Sequence, residues 1–226
     1  MKKVLVIAAH PDDEVLGMGG TIAKLTTEGK EVNVLIVTDG SSSQYRDADN
    51  LIEIIEAKKQ ETRRCADVLD VKEIYYGGLP DMKLDCTPHI EINQVIEQVV
   101  DKIKPDAVFT HFWGDVNADH QNVYKSTLVA VRPVMGQVVK ELFCYSVPSS
   151  TEWTPNKEDT MFMPNMFVDI TDVAERKYEA FSQYVTELRD YPHPLSVQYL
   201  READKAAGIR VGLLAAEEFV LLRKLV

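Results

Sequence analysis

The apolar run from Val4 to Ala9 ends abruptly on His10-Pro11-Asp12-Asp13-Glu14, where an imidazole and three carboxyl groups follow without any transition. A segment that is apolar at every position, rather than every second one, reads as a strand buried on both faces. Such strands belong to parallel sheets with helices packed on each side. The basic tip Met1-Lys2-Lys3 before this short run has the outline of a secretory signal. Acid placed so early would abolish that function, so the run is read as a first strand.

The remaining chain alternates between strand-like and helical patterns. Strands are expected at Lys3 to Ala9, Glu31 to Thr38, Lys72 to Tyr76, Asp106 to His111, Glu141 to Val147 and Met166 to Ile170, with Glu218 to Arg223 as a final edge strand. Helices are expected from near Val15 to the stop at Gly29, and over Asn50 to Leu69, Ile90 to Ile103, Asp119 to Val131, Val173 to Leu188 and Leu195 to Ala207. Pro105 bars continuation of the third, and Gly29 suits a helix C-cap. Strands alternating with helices give an α/β fold: a Rossmann-like, mostly parallel sheet with helices on both faces. Residues 1–226 read as a single domain, with 148–164, which carries three prolines, as a loop or lid.

Composition removes several classes of function. Hydrophobic residues make up 45% and charged residues 27%, a globular rather than disordered balance. The 25 basic against 36 acidic residues leave a net charge of −11, which argues against nucleic acid as a partner. No apolar run approaches the ~20 residues that span a bilayer, so no membrane association is expected. Cys65, Cys86 and Cys144 are odd in number and lack any C-x-x-C spacing, which disfavours a disulfide framework and suits a reducing cytoplasm. Assembly into a homo-oligomer is left open.

In an open α/β sheet, ligands sit beyond the carboxyl ends of the strands. His10, Asp12, Asp13 and Glu14 follow the first strand, and Asp115-Val-Asn117-Ala-Asp119-His120 follows the fourth. Acids and histidines crowded on one turn repel unless a cation is present, and His10 with Asp13 and His120 offers the mixed nitrogen and oxygen set that zinc accepts. Three protein ligands leave a position for water, whose pKa zinc lowers to about 7. Asp12 is then free to act as general base. Taken alone, each segment is also a common capped turn, with Asp119 as an N-cap in the second. Gly17, Gly19 and Gly20 raise a rival dinucleotide-binding reading, although that fingerprint belongs in the turn occupied here by His10 to Glu14.

At these residues the chain resembles the LmbE-like, or PIG-L-like, family of zinc-dependent de-N-acetylases. The likeness rests on Ala9-His10-Pro11-Asp12-Asp13-Glu14, extended by Gly17 and Gly19-Gly20, and on Asp115-x-Asn117-x-Asp119-His120. Thr38-Asp39-Gly40 and the late Ala216-Glu217-Glu218-Phe219 add weaker support. The resemblance implies His10, Asp13 and His120 as zinc ligands and Asp12 as base, in the hydrolysis of an N-acetyl group from an N-acetylglucosamine-type sugar or conjugate. Iron(II) suits the same donors. Some members carry a histidine where this chain has Asn117, an amide that can donate a hydrogen bond to substrate but cannot titrate. His193, in a late His-Pro pair, is a candidate proton donor. His111 and Asp119 are candidates for orienting the ligands from behind, with core packing an equal alternative for His111. Arg46, in a serine-rich stretch after the second strand, is the first substrate-binding candidate, and Asp81 and Trp153 follow it. Two alternatives stand beside this reading: a hydrolase of another small amide conjugate, and a non-catalytic sugar- or nucleotide-binding α/β module with a structural metal.

Overall fold

A computed structural model of the chain describes residues 1–40, 50–155 and 157–226. Arg46 lies outside the described residues. Among the described residues the elements run β1 (Lys3–Ala8), α1 (Asp13–Thr27), β2 (Glu31–Thr38), α2 (Leu51–Val68), β3 (Glu73–Leu79), α3 (His89–Ile103), β4 (Ala107–His111) and α4 (Ala118–Ala130). They continue with β5 (Glu141–Tyr145), a 3-10 turn (Thr151–Trp153), β6 (Met166–Asp169), α5 (Ala174–Phe181), α6 (Val197–Ile209) and β7 (Ala216–Lys224).

The strands form one sheet in the order β3-β2-β1-β4-β5-β7-β6. Pairing is parallel from β3 through β5, and β7 runs antiparallel to both of its neighbours. The period-2 geometry of a strand sorts side chains between two cores. Val4, Val6 and Ala8 enter one with α1, α2, α5 and α6, whereas Leu5, Ile7 and Ala9 enter the other with α3 and α4. Burial on both faces is what an unbroken apolar run requires, and each buried Val, Leu or Ile side chain contributes roughly 1.5–3 kcal/mol.

The expected final edge strand is interior. β7 sits between β5 and β6, with Ala216, Phe219 and Val220 buried. The edge belongs to β6, only four residues long and half-buried throughout, which exposes few unpaired backbone groups. The expected helix over Val173 to Leu188 stops at Phe181. Beyond it the chain turns so that Tyr184 and Glu187 reach Glu14 and Lys58. These tertiary contacts override local helical periodicity.

Helix α1 explains the glycines. A Cβ on Gly17 would lie 2.3 Å from the Tyr145 ring, and one on Gly20 would lie 2.8 Å from Ile170. Both glycines serve close packing of α1 rather than a dinucleotide. Met18 has non-helical angles and breaks α1 into two segments, freeing backbone donors inside it. The N–H groups of Gly20 and Thr21 donate to the Glu217 carboxylate at 2.9 and 2.6 Å. Glu217 in turn pairs with buried Lys177 at 2.8 Å, which also holds Asp204 at 2.8 Å. The last strand therefore caps the first helix, which gives a physical role to the Ala216-Glu217-Glu218-Phe219 stretch. Removing one partner strands buried donors and an ammonium, so Glu217→Ala is expected to cost about 3–5 kcal/mol. Urea unfolding measures this, and a loss under about 1 kcal/mol would show that the cap is dispensable.

Candidate metal centre

Strand order reverses between β1 and β4, which pair in parallel at the middle of the sheet. Loops leaving two such strands diverge and open a crevice at their carboxyl ends. The turn after β1 enters it with His10 to Asp13, and the loop after β4 enters it with Val116 to Ala118 and His120.

His10 Nδ1 lies 3.2 Å from His120 Nε2 and 3.4 Å from Asp13 Oδ2. His120 Nε2 is 3.4 Å from Asp13 Oδ1. One donor atom from each residue falls within 4.8 Å of the other two. The far nitrogen of each imidazole is held by a carboxylate. His120 Nδ1 faces Asp115 Oδ2 at 3.1 Å, and His10 Nε2 faces Asp81 Oδ1 at 3.0 Å and Asp119 Oδ2 at 3.2 Å. A carboxylate there fixes the ring proton on the outside and turns the lone pair inward, as metal-binding histidines require. His10, Asp81 and Asp119 form a second close trio. In that trio, however, Asp119 already accepts the Met82 and Leu84 N–H groups at 2.7 and 3.0 Å. The set of His10, Asp13 and His120 is therefore the better one, and two imidazoles with a carboxylate fit zinc or iron(II).

The charges support one another. Burial alone would lift the Asp13 carboxyl, but His120 and His111 hold it well below the usual range. Burial opposes a charged His120, and Asp13 and Asp115 overrule it, raising the imidazole to about 9. His10 rises for the same reason, through Asp119, Asp13 and Asp81 against the penalty of burial. His111 moves the other way, pushed by burial and by His120 down to about 4. Its Nε2 accepts the Ala9 N–H at 2.8 Å, and its ring stacks on His120 with centroids 4.0 Å apart. His111 thus sits behind the trio and touches the backbone and ring beside it.

Asp12 occupies the left-handed region at φ 106°, which costs a residue with a Cβ about 1–3 kcal/mol. Its N–H donates to Glu14 Oε2 at 3.1 Å, and Glu14 Oε1 accepts from Tyr184 Oη at 2.6 Å. This arrangement holds the strained turn and directs Asp12 into a cavity of about 530 Å³. Burial, with Glu187, Asp13 and Glu14 nearby, raises the Asp12 carboxyl well above its ordinary range, against the pull of Lys58. Lys58 and Glu187 form a buried ion pair lining the same cavity.

Among the other sequence candidates, Asn117 lines the cavity and caps α4, its Oδ1 accepting from the Asp119 N–H at 2.9 Å. Asp119 is therefore not the N-cap. His193 is not among the residues lining the cavity, and its Nδ1 accepts the Leu195 N–H at 3.0 Å. The sequence reading missed Asp115 as a holder of His120, and it missed Lys58, Tyr184 and Glu187. A signal existed for Lys58: with Glu61, Thr62 and Cys65 it falls at helical spacing on the buried face of α2, where a charge is out of place. Tyr184 and Glu187 carried none, because their segment leaves the helix its periodicity suggests.

The chain is similar to known proteins in sequence and in fold. The family described as PIG-L, GlcNAc-PI de-N-acetylase, matches residues 5–131. A diacetylchitobiose deacetylase of Thermococcus kodakarensis is 30% identical over 89% of this chain and 76% of its own length. A probable N-acetyl-α-D-glucosaminyl L-malate deacetylase 2 of Bacillus subtilis is 24% identical over 81% of this chain and 82% of its own. The structure of N,N'-diacetylchitobiose deacetylase from Pyrococcus horikoshii superposes with a TM-score of 0.80 at 26% identity, covering 98% of this chain and 84% of that one.

The raised His120 gives a signed prediction for the metal-free protein. Its folded value of about 9 exceeds the ordinary 6.5, so its contribution to stability is complete below pH 6.5 and is lost as pH rises through about 9. The loss is on the order of 3 kcal/mol, since raising a pKa by one stabilises the charged form by about 1.4 kcal/mol. Denaturant unfolding of chelator-treated protein from pH 6 to 9.5 measures it, and a flat or rising profile would contradict the assigned environment.

Proposed function

The chain belongs to the PIG-L family of de-N-acetylases, and from that premise we propose a metal-dependent hydrolase that removes the acetyl group from an N-acetylglucosamine-type sugar or sugar conjugate. His10, Asp13 and His120 would hold zinc or iron(II). When bound, the ion supplies a Lewis acid for the amide carbonyl and lowers the pKa of water.

The chain's own residues account for the remaining chemistry. Asp12 accepts a proton from the attacking water as the new carbon–oxygen bond forms, then returns it to the amide nitrogen as the carbon–nitrogen bond breaks. Acetate and a free amine leave. Asp115 on one side, and Asp81 with Asp119 on the other, keep both imidazoles in the tautomer that faces the centre. Burial, Glu187, Asp13 and Glu14 raise the Asp12 carboxyl, which suits the return of a proton, and the buried Lys58 pulls the other way toward the charged form that accepts one. Asn117 has no proton to give at the stage where an acid is needed, so the return step is assigned to Asp12. Exposed Cys86 and buried Cys65 and Cys144 are all free thiols, which supports a reducing, cytoplasmic setting.

The observation that carries this reading is the position of Asp12, a buried carboxyl on a strained turn that faces the cavity and lies outside the donor trio. A structural metal module has no use for such a group. Asp12→Asn is expected to keep metal and fold but lower kcat for acetate release about 10²- to 10⁴-fold. Unchanged turnover would remove Asp12 as the base. His120→Ala is expected to lose bound metal by elemental analysis, and full occupancy there would refute the ligand assignment. Chelation of the wild-type protein is expected to abolish acetate release until zinc or iron(II) is restored.

A further inference from the structure

Asp12 stands at the N-cap of α1, the position where an aspartate ordinarily turns its carboxylate back to accept a helix N–H. Here it makes no such bond. Capping residues take extended backbone angles, whereas Asp12 lies at φ 106° and ψ −25°. The unused cap and the left-handed backbone are two departures from what this place in a helix favours, and both leave the carboxyl lining the cavity. A turn with extended angles and a capping carboxylate is therefore the natural competitor of the one observed.

Glu14 opposes that competitor. In a capping box, a glutamate at the third helical position reaches back to the N–H of the cap residue. Glu14 does so from the second position, its Oε2 accepting the Asp12 N–H at 3.1 Å. Its other oxygen accepts from Tyr184 Oη at 2.6 Å, with the Cys65 thiol, a weak donor, as a further partner at 3.7 Å. Both Glu14 and Tyr184 are buried, so solvent is not at hand to replace the phenol. The phenol also stands on a fixed base. Beyond α5, Thr186 donates its N–H and hydroxyl to Glu61 at 3.1 and 2.7 Å, and Glu187 pairs with Lys58. A line of contact thus runs from this fastened segment through Tyr184 and Glu14 to the Asp12 backbone. Neither Glu14 nor Tyr184 is among the described residues lining the cavity.

Resting on the deacetylase reading above, we infer that Glu14 and Tyr184 are positioning residues that select between two states of Asp12: a base facing the cavity, and a cap folded back onto α1. They act on the rate through Asp12 alone. Tyr184→Phe removes one oxygen from a buried ring, and is expected to lower kcat for acetate release at least about tenfold while KM shifts less than about twofold and metal content is unchanged. Glu14→Gln keeps one acceptor oxygen where two donors each had their own, and is expected to lower kcat at least as far. Thr186→Ala loosens the same segment without touching Glu14, and is expected to keep kcat within about twofold.

A double-mutant cycle separates positioning from general damage. On an Asp12→Asn background, Tyr184→Phe is expected to lower the residual kcat less than about twofold, because the group it positions is already gone. Equal loss on both backgrounds, or full kcat in both Tyr184→Phe and Glu14→Gln, would overturn the proposal. Hydrogen exchange followed by NMR tests the same contact without turnover. The Asp12 amide is expected to exchange at least about tenfold faster in Tyr184→Phe, with the amides of Val6 and Ile7 in β1 unchanged. An Asp12 amide that exchanges no faster overturns the proposal whatever turnover shows. Faster exchange in a protein whose wild type releases no acetate would leave the hold on Asp12 standing and refute the hydrolase.

Discussion

Two carboxylates at the entrance to α4 hold the site together. Asp115 faces His120 and also gathers the Asn117 amide and the hydroxyls of Ser150 and Thr151. Asp119 faces His10 and gathers the backbone of Met82 and Leu84. Each therefore ties an imidazole to a loop from another part of the chain. Buried acids in such numbers need hydrogen-bond donors or imidazoles around them, and Asp115 is held down near 2 by His120, Ser150 and Thr151 despite the penalty of burial.

The sheet sets where this can happen. β1 and β4 are central neighbours and point the same way, so the turn after one and the loop after the other arrive together. The β1 end was legible because a fully apolar strand cannot continue into His10-Pro11-Asp12-Asp13. The β4 end was legible because polar residues crowd after His111. Both are changes of character along the chain, which a sequence displays directly. Strand boundaries blurred at β3, expected to end at Tyr76 but running on through Gly77 and Gly78 to Leu79.

Contacts between distant segments left weaker traces. Glu187 meets Lys58 across 129 positions, and Tyr184 meets Glu14 across 170. No local periodicity reports such a pairing, and in this region periodicity suggested a helix that tertiary hydrogen bonding cut short. β7 was misplaced at the edge for a related reason. Its half-buried pattern suits either an edge or an antiparallel strand next to one, and only the short β6 beyond it decides. His193 accepts the Leu195 N–H on Nδ1, a local contact that its place before a proline does not announce.

The cap that Glu217 places on α1 bears on the order in which the molecule can be completed. The first helix emerges from the ribosome with its internal break unsatisfied, and the carboxylate that closes it lies near the far end of the chain. Tyr184, which steadies Glu14 behind Asp12, is likewise late. A nascent chain holding only the first half of the sheet would present the acidic turn without the partners that fix its shape. The strained turn at Asp12 thus gains its support through Glu14 only after Tyr184, 170 positions beyond Glu14, has been made.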